Sequence, residues 1–217
     1  MIVWESTTHG IDLRTGADSR SPGVHLSGVL KVLANQHGLW DQYPEEEEID
    51  YLITNTPAHQ TGSVAALMRV AVGYAWEEWL SKRIPGLLYH PGEFELDGVI
   101  GTPDGICVVE PESGSGSVIL HEIKATWMKS TKPVTEGTKL YWLWECMGYL
   151  AMLSKAFQVQ CTRAVLHPLY VNGNYGEWGT RCQYRPLEIT FTWEEIMANW
   201  GNVLVNKEKA KAERGQG

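Results

Sequence analysis

The chain has 217 residues, 43% of them apolar and 20% charged, which excludes wholesale disorder and suits a single domain, 1–217, with a proper core. Its formal charge of −8 argues against a broad, non-specific nucleic-acid surface, because neutralising phosphates takes clustered Lys and Arg. No apolar run approaches a membrane span and Met1-Ile2-Val3-Trp4-Glu5 is not a secretory leader, so a soluble cytoplasmic protein without a membrane partner is expected.

Residues 5–23 are rich in Ser, Thr, Gly and Asp and read as loop. Val24 to Gln36 carries apolar residues at 24, 26, 29, 30, 32 and 33, the period of an amphipathic helix, and Gly38 stops it. This is a packing helix, with Ser27 a candidate phosphate contact. The run Glu45-Glu46-Glu47-Glu48 reads as a solvated excursion or a short helix over 45–53, closing an N-terminal helical extension, 1–61. Gly62 to Lys82 is apolar on nearly all sides until Glu77, so a largely buried helix is expected, ended by Ile84-Pro85-Gly86. Gly73 inside it costs stability relative to Ala and predicts close approach of another backbone.

Strands are predicted at Leu87–His90, Glu93–Gly101 and Gly105–Glu110, with 111–117 as a hairpin connection to a further strand ending near Thr126. On that last strand Glu122 and Lys124 share one face with Val118 and Leu120, whereas Ile119, His121, Ile123 and Ala125 take the other. Apolar residues on both faces mark a central, buried strand. A buried carboxylate and a buried ammonium are costly unless paired, hydrogen-bonded or bound to metal. The hairpin can set Asp104 beside them, and two carboxylates with a lysine suit a hard divalent cation and a water.

Trp127 to Thr138 reads as a loop; Lys129, Lys132 and Lys139 make it a place for phosphates. A second long helix is predicted over 140–155, then strands at Thr162–Val171 and Arg181–Thr190. Thr192-Trp-Glu-Glu is a capping box opening a last helix whose tail frays from Lys207, so 171–217 forms a C-terminal strand and helix. Trp178 and Trp200 are candidates for exposed tryptophans. Cys107, Cys146, Cys161 and Cys182 are scattered without a C-x-x-C pair, so neither zinc nor an iron–sulfur cluster is expected.

Pro103-Asp104 followed by Glu122-Ile123-Lys124 resembles the PD-(D/E)XK nuclease signature. Thr-Pro-Asp-Gly-Ile, a Gly/Ser turn and Glu-Ile-Lys are similar in type, order and separation to the lambda-exonuclease/RecB-like branch. Gly73-x-x-Trp76-Glu77 resembles the helical element that adds a carboxylate in that branch, and the likeness spans about residues 62–170. The resemblance implies an α/β fold, a mixed central sheet flanked by helices in the order helix–three strands–helix–strand. It implies one or two Mg2+ ions, replaceable by Mn2+, held by Asp104, Glu122, Glu77 and the Ile123 carbonyl, with Lys124 orienting water or stabilising the transition state. Asp104, Glu122, Lys124 and Glu77 then form the catalytic set.

Where the branch carries Gln-x-x-x-Tyr, this chain has Glu145-x-x-x-Tyr149. Glu145 can pair with Lys124, bind a metal-held water or lie on the helix surface; with Tyr149 it is a candidate support for the site. Ser27, Arg69, Lys129, Lys132 and Lys139 are candidate DNA contacts. The implied activity is an exonuclease acting on ends of double-stranded DNA in phage-type recombination, with a ring-shaped homo-oligomer and a single-strand annealing protein as implied partners. A sequence- or structure-specific endonuclease and a catalytically silent DNA-binding or assembly protein stay open as alternatives.

Overall fold

The computed structural model describes residues 3–7, 10–14, 23–39, 64–109, 116–126, 134–135, 137–171 and 182–214. Its organising element is the ten-residue strand β7 (Ser117–Thr126), which lies at the middle of the main sheet. Strand order is β10-β8-β7-β6-β3, built from β3 (Leu88–Tyr89), β6 (Gly105–Val109), β8 (Arg163–Tyr170) and β10 (Leu187–Thr190). β7 pairs antiparallel with β6 and parallel with β8. A parallel neighbour demands a crossover, and α3 (Leu140–Phe157) supplies it. With α2 (Val64–Ser81) ahead of β3, the main-sheet strands β3, β6 and β7, then α3 and β8, give the expected helix–three strands–helix–strand order.

Around that core three expectations change. Residues 5–23 do not begin as loop: β1 (Val3–Thr7) and β2 (Gly10–Arg14) pair antiparallel, Thr7 opposite Gly10. Val3, Trp4, Thr7 and Ile11 supply strand-forming side chains that the overall polar composition concealed. Among the described residues, the extension 1–61 holds a hairpin and α1 (Leu26–Gln36), and the acidic run lies outside them. Next, Glu93–Gly101 is not one strand but the hairpin β4 (Phe94–Leu96) and β5 (Val99–Gly101). Asp97 and Gly98 sit at φ 52° and 71°, the left-handed pair that a tight two-residue turn needs and that Asp-Gly favours. Last, Arg181–Thr190 yields β9 (Gln183–Tyr184) and β10, both antiparallel to β8, interrupted where Pro186 has no N–H for the ladder.

Helix ends follow local chemistry. Beyond α1, Gly38 at φ 63° lets Leu39 N–H reach the Ala34 carbonyl at 3.0 Å, a Schellman closure. α4 (Trp193–Arg214) opens with the capping box: Thr192 N–H donates to Glu195 Oε2 at 2.8 Å and Glu195 N–H to Thr192 Oγ1 at 3.2 Å. That helix continues past Lys207 rather than fraying there, because the Lys207 ammonium donates to the Asp97 carbonyl. Trp200, expected at the surface, is 2% exposed and donates its indole N–H to the Asp97 carboxylate at 2.8 Å. Both contacts tie α4 to the β4–β5 turn.

The larger core joins one face of the sheet (Val118, Leu120, Ala164, Leu166) to α1, α3 and α4 through Leu26, Leu30, Cys146, Leu150, Ile196 and Val203. The opposite face is covered by α2, with Trp76 and Leu80 on Ile123. α2 is less buried than its composition predicts: residues 71–75 are half-buried or exposed. A Cβ on Gly73 would meet nothing within 4 Å among the described residues, so no backbone approaches there. The close approach belongs to Gly101, where a Cβ would stand 2.9 Å from the Tyr149 ring and 2.5 Å from Met152 Sδ.

Candidate active site

Gly105 is the first β6 residue to pair with β7, opposite His121, so Asp104 sits where the two-strand ladder ends and β7 runs on. Past that point the Ile123 N–H meets a side chain in place of a strand: it donates to Asp104 Oδ2 at 2.7 Å. The Asp104 carbonyl in turn accepts the His90 N–H at 3.0 Å, anchoring the turn to the end of β3. Asp104 is thus locked beside the one strand segment that carries Glu122 and Lys124.

Strand alternation aims Glu122 and Lys124 toward α3. Glu122 is 1% exposed, and the Lys124 ammonium donates to its Oε1. From α3, Glu145 (4% exposed) brings Oε2 to 2.8 Å from the same ammonium. Of the three placements open to Glu145 in the sequence, the helix surface is excluded and pairing with Lys124 is present. Tyr149, one turn further along α3, is buried against Gly101. Two carboxylates therefore pair with one ammonium, with the charge of Asp104 close enough to act on it, and among the described residues Glu122 Oε2 and Glu145 Oε2 are buried without a well-formed hydrogen bond. The Thr102 hydroxyl, two residues before Asp104, is also buried and unpartnered.

The electrostatics follow from that imbalance. Burial pushes the Glu122 carboxyl well above the usual range, and the charges of Asp104 and Glu145 add to the effect against the pull of Lys124. Burial also raises Asp104, opposed by Lys124 and by the Ile123 N–H. For Lys124 burial disfavours the charge, but Glu122, Glu145 and Asp104 together outweigh it and hold the ammonium charged well above its ordinary range. Burial, followed by the Glu145 and Glu122 charges, drives the Tyr149 phenol well up. The pocket is one that would gain from another positive charge.

A hard divalent cation fits this donor set, on the strength of the unpartnered Glu122 oxygen and the oxygen-only chemistry of Asp104 and Glu122. Among the described residues, however, no three His, Cys, Asp or Glu side chains stand as a ready cage. Glu77 explains part of this: its Oε2 lies 4.0 Å from His90 Nε2, and its link to Asp104 runs through His90.

No protein-family model matches the chain, and no curated protein does. Among solved structures, LHK-Exo in complex with dAMP is similar at TM-score 0.52 and 15% identity, over 88% of this chain and 89% of that one. The chain has the fold of LHK-Exo. A structure of LHK-Exo, an alkaline exonuclease from Laribacter hongkongensis, also matches at TM-score 0.45 and 14% identity, over 85% of this chain and 87% of that one. A phage-related exonuclease from Haemophilus somnus 129PT matches at 0.43 and 11%, over 90% of this chain and 96% of that one. The mixed sheet flanked by helices that the signature residues imply is the architecture of this chain.

Within the LHK-Exo fold the remaining candidates separate. Ser27 lies in the first turn of α1, its carbonyl accepting the Tyr141 hydroxyl at 3.1 Å, one helical turn before Glu145. Lys139 is not at the surface: it is 1% exposed at the start of α3, its ammonium 4.7 Å over the Tyr170 ring, because the chain turns inward there to begin the crossover. This removes it from the candidate DNA contacts. Lys129 and Lys132 lie outside the described residues, as does the Arg69 side chain on α2. Sequence reasoning missed His90. It holds a left-handed φ of 48°, unusual for a non-glycine residue, and its charge favours the ionised form of Asp104. Its signal was the His-Pro-Gly turn directly after a strand, which reads as ordinary punctuation.

Proposed function

We propose that the chain is a divalent-cation-dependent deoxyribonuclease that hydrolyses phosphodiester bonds from ends of double-stranded DNA. The observation that carries this reading is the Asp104–Glu122–Lys124 cluster, Glu122 buried and the other two half-buried, with its excess negative charge and, among the described residues, an unpartnered Glu122 oxygen. Further support comes from the fold shared with LHK-Exo.

In this reading Asp104, Glu122 and the Ile123 carbonyl hold Mg2+ or Mn2+, one ion or two, with Glu77 completing the set. The bound cation supplies Lewis acidity toward the phosphate and makes water a competent nucleophile near neutral pH. Asp104 is held for this role, since the Ile123 N–H already fixes its Oδ2. Lys124 presents a compact charge that orients the attacking water or balances the charge developing on the phosphoryl oxygens. Ser27, Arg69, Lys129 and Lys132 are the DNA contacts of this reading. A 5′-phosphate and a 3′-hydroxyl are the products. A ring-shaped oligomer, an annealing partner and a cytoplasmic role in phage-type recombination complete it.

The test is digestion of one plasmid, closed-circular and linearised, with Mg2+, with Mn2+ and with chelator, beside Lys124→Ala. Loss of the linear form alone, abolished by chelator and in the variant, is the expected result. Cutting of the circle would replace the exonuclease by an endonuclease on the same site. Retention of both forms under either metal would leave a DNA-binding protein as the better account.

A further inference from the structure

Lys124 has two carboxylate partners from different elements: Glu122, two residues back on its own strand, and Glu145 on the crossover helix at 2.8 Å. One carboxylate would balance the ammonium's charge. The second leaves the cluster over-supplied with negative charge in a place where burying charge is costly. A purely structural ion pair gives no reason for that surplus, nor for a buried Glu122 oxygen with no partner beside it.

The surplus has a use if a cation and Lys124 compete for the same carboxylate. A divalent ion settling on Glu122 meets an ammonium already bound to Glu122 Oε1, and two like charges on one buried carboxylate repel. That repulsion would push the ammonium away from Glu122. Glu145 offers it a carboxylate within the distance it already spans, with no rotation of α3.

We infer that Glu145 is a positioning residue, the second berth of Lys124, which lets the ammonium cede Glu122 to a divalent cation while staying held at the site. The inference rests on the reading of Asp104 and Glu122 as the cation site and deepens it. A neutral glutamine at 145 keeps the shape but removes the charged berth, so cation entry would strand Lys124.

The experiment is calorimetric titration of Mn2+ alone into the full chain, as wild type, Glu145→Gln, Lys124→Ala and the double variant, each first checked for folding by circular dichroism. Wild type is expected to bind, and Glu145→Gln to bind about 10–100-fold more weakly, the usual size for losing a group that supports a ligand. Lys124→Ala is expected to bind at least as well as wild type. In that background Glu145→Gln should cost far less, since no ammonium needs a berth. Glu145→Asp, which keeps the charge, should bind closer to wild type than Glu145→Gln; should the glutamine variant not fold, Glu145→Ala takes its place in both backgrounds, and a loss of equal size with and without Lys124 overturns the inference. Equal affinity of wild type and Glu145→Gln, or a loss of equal size with and without Lys124, also overturns it while leaving the cation site standing. No Mn2+ binding by wild type overturns the cation site itself.

Discussion

The two faces of β7 differ by one residue step and by everything that matters for function. On the α2 side, His121 Nδ1 lies 2.9 Å from His167 Nε2, and His167 Nδ1 lies 2.8 Å from the Tyr184 hydroxyl. Burial drives His121 down, and drives His167 down to about 4 with help from its neighbour, so both are neutral near pH 7. Trp76 adds a hydrogen bond from its indole to the His167 carbonyl at 3.3 Å. On the α3 side, two carboxylates pair with one ammonium near the charge of Asp104, and among the described residues Glu122 Oε2 is buried without a hydrogen-bond partner. A polar network closed with neutral groups specifies packing at little cost, whereas one left charged and incomplete is expensive and makes sense where something arrives to complete it.

This contrast can be broken in both directions. The largest expected effect is on activity. Glu122→Gln should lower DNA hydrolysis by about 10²-fold or more, while its melting temperature in chelator holds or rises, since a buried charge crowded by two others has gone. Lower stability with retained hydrolysis would reverse the roles of the two faces. His167→Ala should do the opposite. It leaves His121 and Tyr184 without their shared partner and opens a cavity, a loss of about 2–4 kcal/mol in chemical denaturation, with hydrolysis per folded molecule unchanged.

A smaller effect is carried by pH. The folded value of His167 lies below its ordinary 6.5, so its contribution to stability is complete above 6.5 and is lost as pH falls toward 4, where the unfolded chain takes the proton first. Glu122 has the opposite sign: its folded value is raised, so its contribution is present below about 4.5 and lost as pH rises. Thermal melts from pH 7 to 4 in the Glu122→Gln background should therefore show a steeper acid-side loss than wild type, and a shallower one would contradict the assignment. The smallest effect belongs to a control far from both faces: Thr192→Ala removes the cap of α4 and should cost about 1 kcal/mol, with Mn2+ binding and hydrolysis intact.

Much of the site is legible in the sequence. Asp104, Glu122 and Lys124 can be placed together because a hairpin and a two-residue alternation are local rules, and the fold brings them together. Glu77 is legible as a position on a helix, but its contact with His90 depends on a left-handed turn that no periodicity announces. Lys139 illustrates the same limit: a lysine in a polar stretch reads as surface, and only the start of α3 beneath Tyr170 turns it inward. At Asp97-Gly98 the turn chemistry is visible in the residues themselves, yet the surrounding strand pattern obscures it.

The residues alone determine the helices with their caps, the buried character of β7 and the face shared by Glu122 and Lys124, because propensity, capping and alternation act over a few neighbours. Tertiary packing decides which distant groups meet. Trp200 reaches Asp97 across 103 positions of sequence, and His121 reaches His167 across 46. Glu145 reaches Lys124 only because α3 crosses the sheet with one particular rotation. Such contacts depend on how whole elements pack, and that rotation converts an ordinary helical glutamate into part of a charged site.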